Sequence, residues 1–380
     1  MKFIDNIVKQ QSKQNQIVCG DVCICEKTME STEFVLCDGI GSGVYANIAA
    51  ITCASRLTEL FGKGISLRRA SEMIADSMHR ARNEEVPFSA FCAVRILNNG
   101  QFAVYTYEAV CPILIKDGIA TALKQHFHST GSETIGESFG TLDFGDGLII
   151  CSDGVSEAGT GNGYSFGIEV QGIVDFINSR LEQQVSMHDL PDEIVRMSAK
   201  VSRDMYADDT TCALLGCREA EQLTIMSGPP AIKARDRMCT LRFLSKPGKH
   251  VVCGSTTADI VARESGKSVR LLSESTSFGS PPEYYMDGID MVTEGAILLN
   301  QAYNILDVNP ENYTGDSAAE RFCMLLHKAD AVTFIVGGAV NNAHSDLLFK
   351  QMGIKPRIEA VRLIAEQLRK MGKLIVEEYY

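Results

Sequence analysis

Nowhere does this sequence reach the run of about 18 apolar residues that a membrane-spanning helix requires. Its opening, Met-Lys-Phe-Ile-Asp-Asn, carries an acid at Asp5 and no apolar stretch of signal-peptide length. The chain is therefore expected to be cytoplasmic, with no membrane partner. Basic runs are missing as well. With a formal net charge of −12 and no Lys/Arg cluster long enough to grip an anionic polymer, nucleic acid is excluded as a partner. Tryptophan is absent, which excludes little. Cys-x-x-Cys pairs are absent too, although there are 13 cysteines. That count is odd, and even the densest group, Cys19, Cys23 and Cys25, lacks metal-site spacing. Cys37 and Cys151 sit in apolar runs, where cysteine acts as a small hydrophobe. These spacings favour buried free thiols in a reducing interior, such as an anaerobe's, over an iron–sulfur or zinc site.

What is present describes a folded protein. Apolar residues make up 45% of the chain and charged residues 22%, a balance that excludes disorder. At 380 residues the chain exceeds what one core usually organises, so two domains are expected, 1–217 and 227–380. In the first, strand-like runs at 16–25 and 33–37 precede helical periodicity to about Phe61 and again over 66–82. Residues 89–115 alternate like paired strands, with Asn98-Asn99-Gly100 as a hairpin turn and Lys116-Asp117-Gly118 as a second. A strand at 148–151, helices over much of 167–206 and a strand at 210–215 complete an α+β order. Beyond Arg218, strands near 250–253, 268–272 and 332–336 alternate with helices near 292–306, 317–329, 343–352 and 357–371. That alternation predicts a smaller α/β domain with a parallel sheet.

Four aspartates stand at strand ends or just beyond them: Asp21 after Gly20, Asp38 before Gly39, Asp153 before Gly154, and Asp208 opening Asp208-Asp209-Thr210-Thr211. Hard divalent cations choose carboxylate, carbonyl and water oxygen, so converging aspartates are suitable material. The glycine after Asp38 and after Asp153 lets backbone approach closely and can expose a carbonyl. Two such ions roughly 3.5–4 Å apart can share a water, lower its pKa and clamp a phosphoryl oxygen. Any one Asp-Gly pair alone reads as a turn. Four in an ordered series require another account.

The pieces Cys19-Gly20-Asp21, Cys37-Asp38-Gly39-Ile40-Gly41-Ser42-Gly43, the run from Gly145-Asp146-Gly147 through Ser152-Asp153-Gly154-Val155-Ser156-Glu157, and Asp208-Asp209-Thr210-Thr211 resemble the metal-dependent type 2C protein phosphatases, specifically their bacterial SpoIIE-like branch. The resemblance covers about residues 10–217, and 107–114, with Pro112, is similar to the family's central hairpin. It implies a β-sandwich flanked by helices and a site for two Mn²⁺ or Mg²⁺ ions. It also implies hydrolysis of phosphoserine or phosphothreonine by a metal-bridging hydroxide. Carried over by position, Asp38 would bridge both ions, Gly39 would offer its carbonyl, Asp21 and Asp153 would hold one ion each or its waters, and Asp208 would complete the site. The implied partner is a bacterial regulatory phosphoprotein, such as an anti-sigma-factor antagonist. Two features depart from the eukaryotic pattern. Gly20 replaces an acid before Asp21, and Lys13-Gln14-Asn15-Gln16 stands where a phosphate-gripping arginine would be, leaving the substrate phosphate without an assigned residue. Asp146 and Asp209 read as turn or capping residues, Glu157 as structural or supporting, and His126 and His128 as surface or structural histidines.

In the second domain, Val251-Val252-Cys253-Gly254-Ser255-Thr256-Thr257 describes a strand leading through a small polar loop to a helix, either an anion site or an ordinary cap. Gly337-Gly338 is a second such loop, and neither is a Walker or dinucleotide fingerprint. This tail resembles those attached to SpoIIE-like phosphatases encoded beside hydrogenase systems of anaerobic bacteria. That implies a link to a redox system and a ligand-sensing or partner-docking role. A phosphatase-fold scaffold is the competing reading, opposed by the presence of all four aspartates. The sequence leaves homo-oligomerisation open.

Overall fold

Strands that are apolar on both faces must be covered on both sides, and the N-terminal part of the chain does this with two sheets and four helices. The computed structural model describes all residues except 85, 132, 274–280 and 340–352. It divides into two units, Met1–Glu219 and Ala220–Tyr380. No described helix is long and apolar enough to cross a membrane.

The first unit begins with β1 (Lys2–Gln11), β2 (Asp21–Lys27), β3 (Ser31–Gly39), α1 (Gly43–Gly62) and α2 (Leu67–Asn83). Six strands follow: β4 (Ser89–Leu97), β5 (Gln101–Tyr107), β6 (Ile113–Lys116), β7 (Ile119–Ala122), β8 (His126–Thr130) and β9 (Glu133–Thr141). It closes with β10 (Gly147–Cys151), the single turn α3 (Asp153–Ser156), α4 (Glu169–Glu182), α5 (Leu190–Val201) and β11 (Thr210–Glu219). One antiparallel sheet has the order β1-β11-β10-β6-β7 and the other β2-β3-β4-β5-β9-β8. Alternation along each strand decides the layers. Phe34 and Leu36 of β3 meet Leu148, Ile150, Ala213 and Leu215 in the core between the sheets. The intervening Val35 and Cys37 face outward to α1 and α2, with Phe91 and Tyr107. On the opposite side, Ile149 and Leu214 pack under α4 and α5. The unit is a four-layer α/β/β/α sandwich. Phe91 and Tyr107 are fully buried, each contributing on the order of 1.5–3 kcal/mol.

The second unit contains β12 (Gln222–Ser227), α6 (Asp236–Leu244), β13 (Lys249–Cys253), α7 (Ser255–Ser265), β14 (Arg270–Ser273) and β15 (Glu283–Tyr285). It continues with β16 (Met291–Thr293), α8 (Ala296–Ile305), α9 (Ala318–Lys328), β17 (Ala331–Val336), α10 (Arg357–Lys370) and β18 (Leu374–Tyr379). The sheet order is β14-β15-β16-β13-β12-β17-β18. The five strands from β16 to β18 are parallel, and β14 and β15 extend them antiparallel. Cores lie on both faces, under α8, α9 and α10 on one side and under α6 and α7 on the other.

The structure adds elements that periodicity did not reveal. β1 was unread because its apolar residues fall in pairs, Phe3-Ile4 and Ile7-Val8, instead of alternating. β12 lies in the stretch treated as a boundary, and β16 occupies the start of the helix expected over 292–306. The helix expected near 343–352 lies outside the described residues.

Residues 1–219 are expected to fold alone, since both sheets and all four covering helices lie within them. Circular dichroism of that fragment should show a cooperative thermal transition. A fragment starting at residue 220 should behave likewise, whereas one starting at 228 should not, because it lacks the central strand β12. Equal folding by the last two fragments would contradict this division.

Candidate functional site

Two glycines determine where the acids can go. A Cβ on Gly39 would sit 1.8 Å from the Ala46 carbonyl oxygen, and one on Gly154 would sit 2.2 Å from the Asp209 carbonyl oxygen. Only hydrogen at these positions lets α1 close on the end of β3, and lets the turn after β10 close on the approach to β11. The residues immediately before them are Asp38 and Asp153.

Asp21 opens β2 directly opposite Asp38 in the antiparallel register. The Asp38 carboxyl lies within hydrogen-bonding reach of both Asp21 and Asp153, and the charge of Asp208 acts on Asp153. The structure thus sets Asp21 and Asp38 side by side across β2 and β3, with Asp153 acting on Asp38 and Asp208 on Asp153, a row with Asp38 inside it in electrostatic terms. Among the described residues, no group of three or more His, Cys, Asp or Glu side chains stands close enough together to hold a metal ion as the side chains are placed.

Neighbouring strands hold the row in place. The Thr211 hydroxyl donates to Asp21 Oδ2 at 2.6 Å, and Gln10 Nε2 donates to the Asp21 carbonyl at 2.9 Å and to Thr211 Oγ1 at 3.0 Å. The Thr211 amide donates to Ser152 Oγ at 2.9 Å, which ties β11 to the residue preceding Asp153. The Ser89 hydroxyl donates to the Asp38 carbonyl at 2.7 Å. Asp21 Oδ1 is buried and has no hydrogen-bond partner.

Electrostatics oppose this arrangement. Burial pushes Asp38 far above the usual carboxylate range, and the charges of Asp21 and Asp153 push it further. Burial also raises Asp21, and raises Asp153 with help from Asp208. The basic side chain paired with the row is Lys13, whose Nζ lies 3.4 Å from Asp208 Oδ1. Its backbone amide donates to Asp209 Oδ1 at 2.9 Å. Carboxylate oxygens running from buried Asp21, one of whose oxygens is unpartnered, to half-exposed Asp208 fit the chemistry of hard divalent cations such as Mg²⁺ and Mn²⁺, which would supply the missing positive charge.

The other residues singled out in the sequence have different surroundings. Asp146 stands at the far end of β10 and accepts from the amides of Asp143, at 2.8 Å, and Asp117, at 3.3 Å, as a turn residue does. Asp209 is buried and anchors Lys13, so it supports the site as well as the turn. Glu157 is exposed just beyond α3. His126 is exposed on β8, and His128 on the same strand has Nε2 3.8 Å from Glu72. Sequence reasoning missed Gln10 and Lys13, because both depend on β1. The available signal was that Lys13 is the sole basic residue between Gln11 and Asp21.

A family model described as Stage II sporulation protein E (SpoIIE) matches residues 29–218, half of the chain, and includes Asp38, Asp153 and Asp208. No curated protein sequence matches the chain significantly. Among solved structures, the RsbU and RsbW domains of Rv1364c from Mycobacterium tuberculosis are 16% identical, covering 63% of this chain and 67% of that one, with a TM-score of 0.48. The PP2C phosphatase domain of the cell fate determinant SpoIIE from Bacillus subtilis, with a fragment of its regulatory domain, is 15% identical, covering 57% and 62%, with a TM-score of 0.48. RsbX in complex with magnesium is 18% identical, covering 57% and 100%, with a TM-score of 0.42. The chain spans about two thirds of the length of the first two.

The raised Asp38 value has a consequence for stability. A carboxyl whose folded-state pKa is raised stabilises the fold while protonated, and that contribution is lost as pH rises above the unfolded carboxylate range. At pH 7 in chelator, Asp38→Asn should therefore melt roughly 4 °C or more above the parent, the shift produced by about 1–2 kcal/mol in a domain of this size. The gap should narrow towards pH 4, and Mn²⁺ should raise the melting temperature of the parent more than that of the variant. A variant that melts no higher in chelator would show that the row imposes no strain.

Proposed function

Because the chain belongs to the stage II sporulation protein E (SpoIIE) family and is a protein serine/threonine phosphatase, we propose that it hydrolyses phosphoserine or phosphothreonine on a bacterial regulatory protein, with water as the attacking group. The observation that carries this reading is the position of Asp38, opposite buried Asp21 and beside part-buried Asp153, at the meeting of strand ends from both sheets. Asp21, Asp38, Asp153 and Asp208, with the Gly39 carbonyl, would hold two Mn²⁺ or Mg²⁺ ions, with Asp38 shared between them. Bound there, the ions supply the charge that offsets repulsion between a water-derived nucleophile and a phosphate dianion.

The remaining work belongs to the chain. Thr211 and Gln10 hold Asp21 in one orientation. Lys13, fixed by its amide on Asp209, offers a cationic donor to the incoming phosphate in the role the sequence left unassigned. A protein substrate is favoured by the surface that leads from the site. Ile40, Val44, Tyr45, Ile48 and Ile51 are all exposed, and the last four form one apolar face of α1 starting at the Gly39 loop. A phosphorylated segment with apolar flanks would cover this face as its phosphate reaches the aspartates. We propose an anti-sigma-factor antagonist as that substrate.

With an aryl phosphate and Mn²⁺, Asp38→Asn and Asp153→Asn should each lower turnover by about 100-fold or more while circular dichroism remains unchanged. Chelator should abolish turnover, and Mn²⁺ or Mg²⁺ should restore it. Near-normal turnover in either variant, or restoration by zinc alone, would overturn the assignment.

Lys13→Met should raise KM by about tenfold with a much smaller change in kcat, the scale of one lost charged hydrogen bond. An unchanged KM would remove Lys13 from phosphate binding.

A further inference from the structure

In the second unit the parallel strands stand in the order β16-β13-β12-β17-β18. From β12 the chain crosses through α6 to β13 on one side, whereas from β17 it crosses through α10 to β18 on the other. Neighbouring strands that send their connections in opposite directions leave a crevice outside their carboxyl ends, where open α/β sheets bind ligands. Three glycine-bearing segments meet the sheet at that edge: Ser227-Gly228 after β12, Gly254-Ser255 after β13 and Gly337-Gly338 after β17.

The polar groups at this edge are incompletely partnered. Arg357, the first residue of α10, lays its guanidinium over Gly228, where a Cβ would sit 1.4 Å from Nη1. Gly228 also has φ +82°, so a side chain there would strain the backbone and displace the guanidinium. Arg357 Nη2 donates to the carbonyls of Gly337 and Ala339, while Nε is buried without a partner. Among the described residues no carboxylate pairs with Arg357, and its burial lowers its pKa. Ser227 is fully buried and its hydroxyl has no partner. In register it lies opposite Cys253 and Val336, which pack in the core beneath α8, α9 and α10, so it points to the face that carries Arg357. The N-termini of α7 and α10 have no side-chain caps, leaving backbone N–H groups open to an acceptor. The nearby Glu294 already accepts from the Ala296 and Ile297 amides at the start of α8.

A half-buried cation without an anion, a buried hydroxyl without a partner and an uncapped helix start call for one compact acceptor with several oxygens. We infer that this crevice binds a phosphate group, carried by a mononucleotide or free in solution, with Arg357, Ser227 and the first amides of α10 as its donors. The phosphatase site is separate in the chain, so binding here and catalysis there can fail independently.

The test is calorimetric titration of the full-length protein in chelator, with inorganic phosphate and AMP as probes. The Asp38→Asn variant serves as a control for binding at the aspartates. At least one probe should bind, equally well to the parent and to Asp38→Asn. Affinity should fall tenfold or more in Arg357→Met. Ser227→Ala removes an unpartnered hydroxyl, should melt no lower than the parent, and should also weaken binding. AMP binding much more tightly than phosphate would identify a nucleotide site, and equal binding a site for the oxyanion alone. Absence of binding by both probes would overturn the inference. So would binding unchanged in Arg357→Met and Ser227→Ala, or binding lost in Asp38→Asn.

Discussion

Like charges crowded around Asp38 are the constraint that the first unit is built to sustain. Asp38 cannot leave the row without breaking its register with Asp21, the contact of Gly39 with Ala46, or the Ser89 bond to its carbonyl. Each of these is backed by apolar packing. β3 buries Phe34 and Leu36 between the sheets and Val35 and Cys37 under the helices, so the strand that presents the acid is fixed from both faces. Burial of apolar surface on either side holds together an arrangement that electrostatics alone would disperse.

How much of this could be read in advance depended on whether a feature was local in the chain. The Asp-Gly pairs were legible because the glycine required at a close approach sits beside the acid it positions, and the hairpins at Asn98-Asn99-Gly100 and Lys116-Asp117-Gly118 announce themselves by turn chemistry. β1 was illegible because its place is dictated by a partner some 200 residues away, with Gln10 opposite Thr211. Lys13 was hidden with it. In the second unit β12 was overlooked for a related reason. It is short, and lies only three residues beyond the end of β11, so nothing local marks it as the centre of a new sheet. The row of acids was visible from residue types, but the hydroxyl and amide groups that hold it come from strands distant in sequence.

A cation that binds the aspartate row binds the folded chain and not the unfolded one, so the free concentration of that ion enters the folding equilibrium directly. In a cell the unfolded fraction is what proteases remove. On the function proposed above, the acids that serve phosphate chemistry also make the abundance of the chain responsive to ion supply. A drop in available divalent metal would silence existing molecules and then thin their number, on two different timescales.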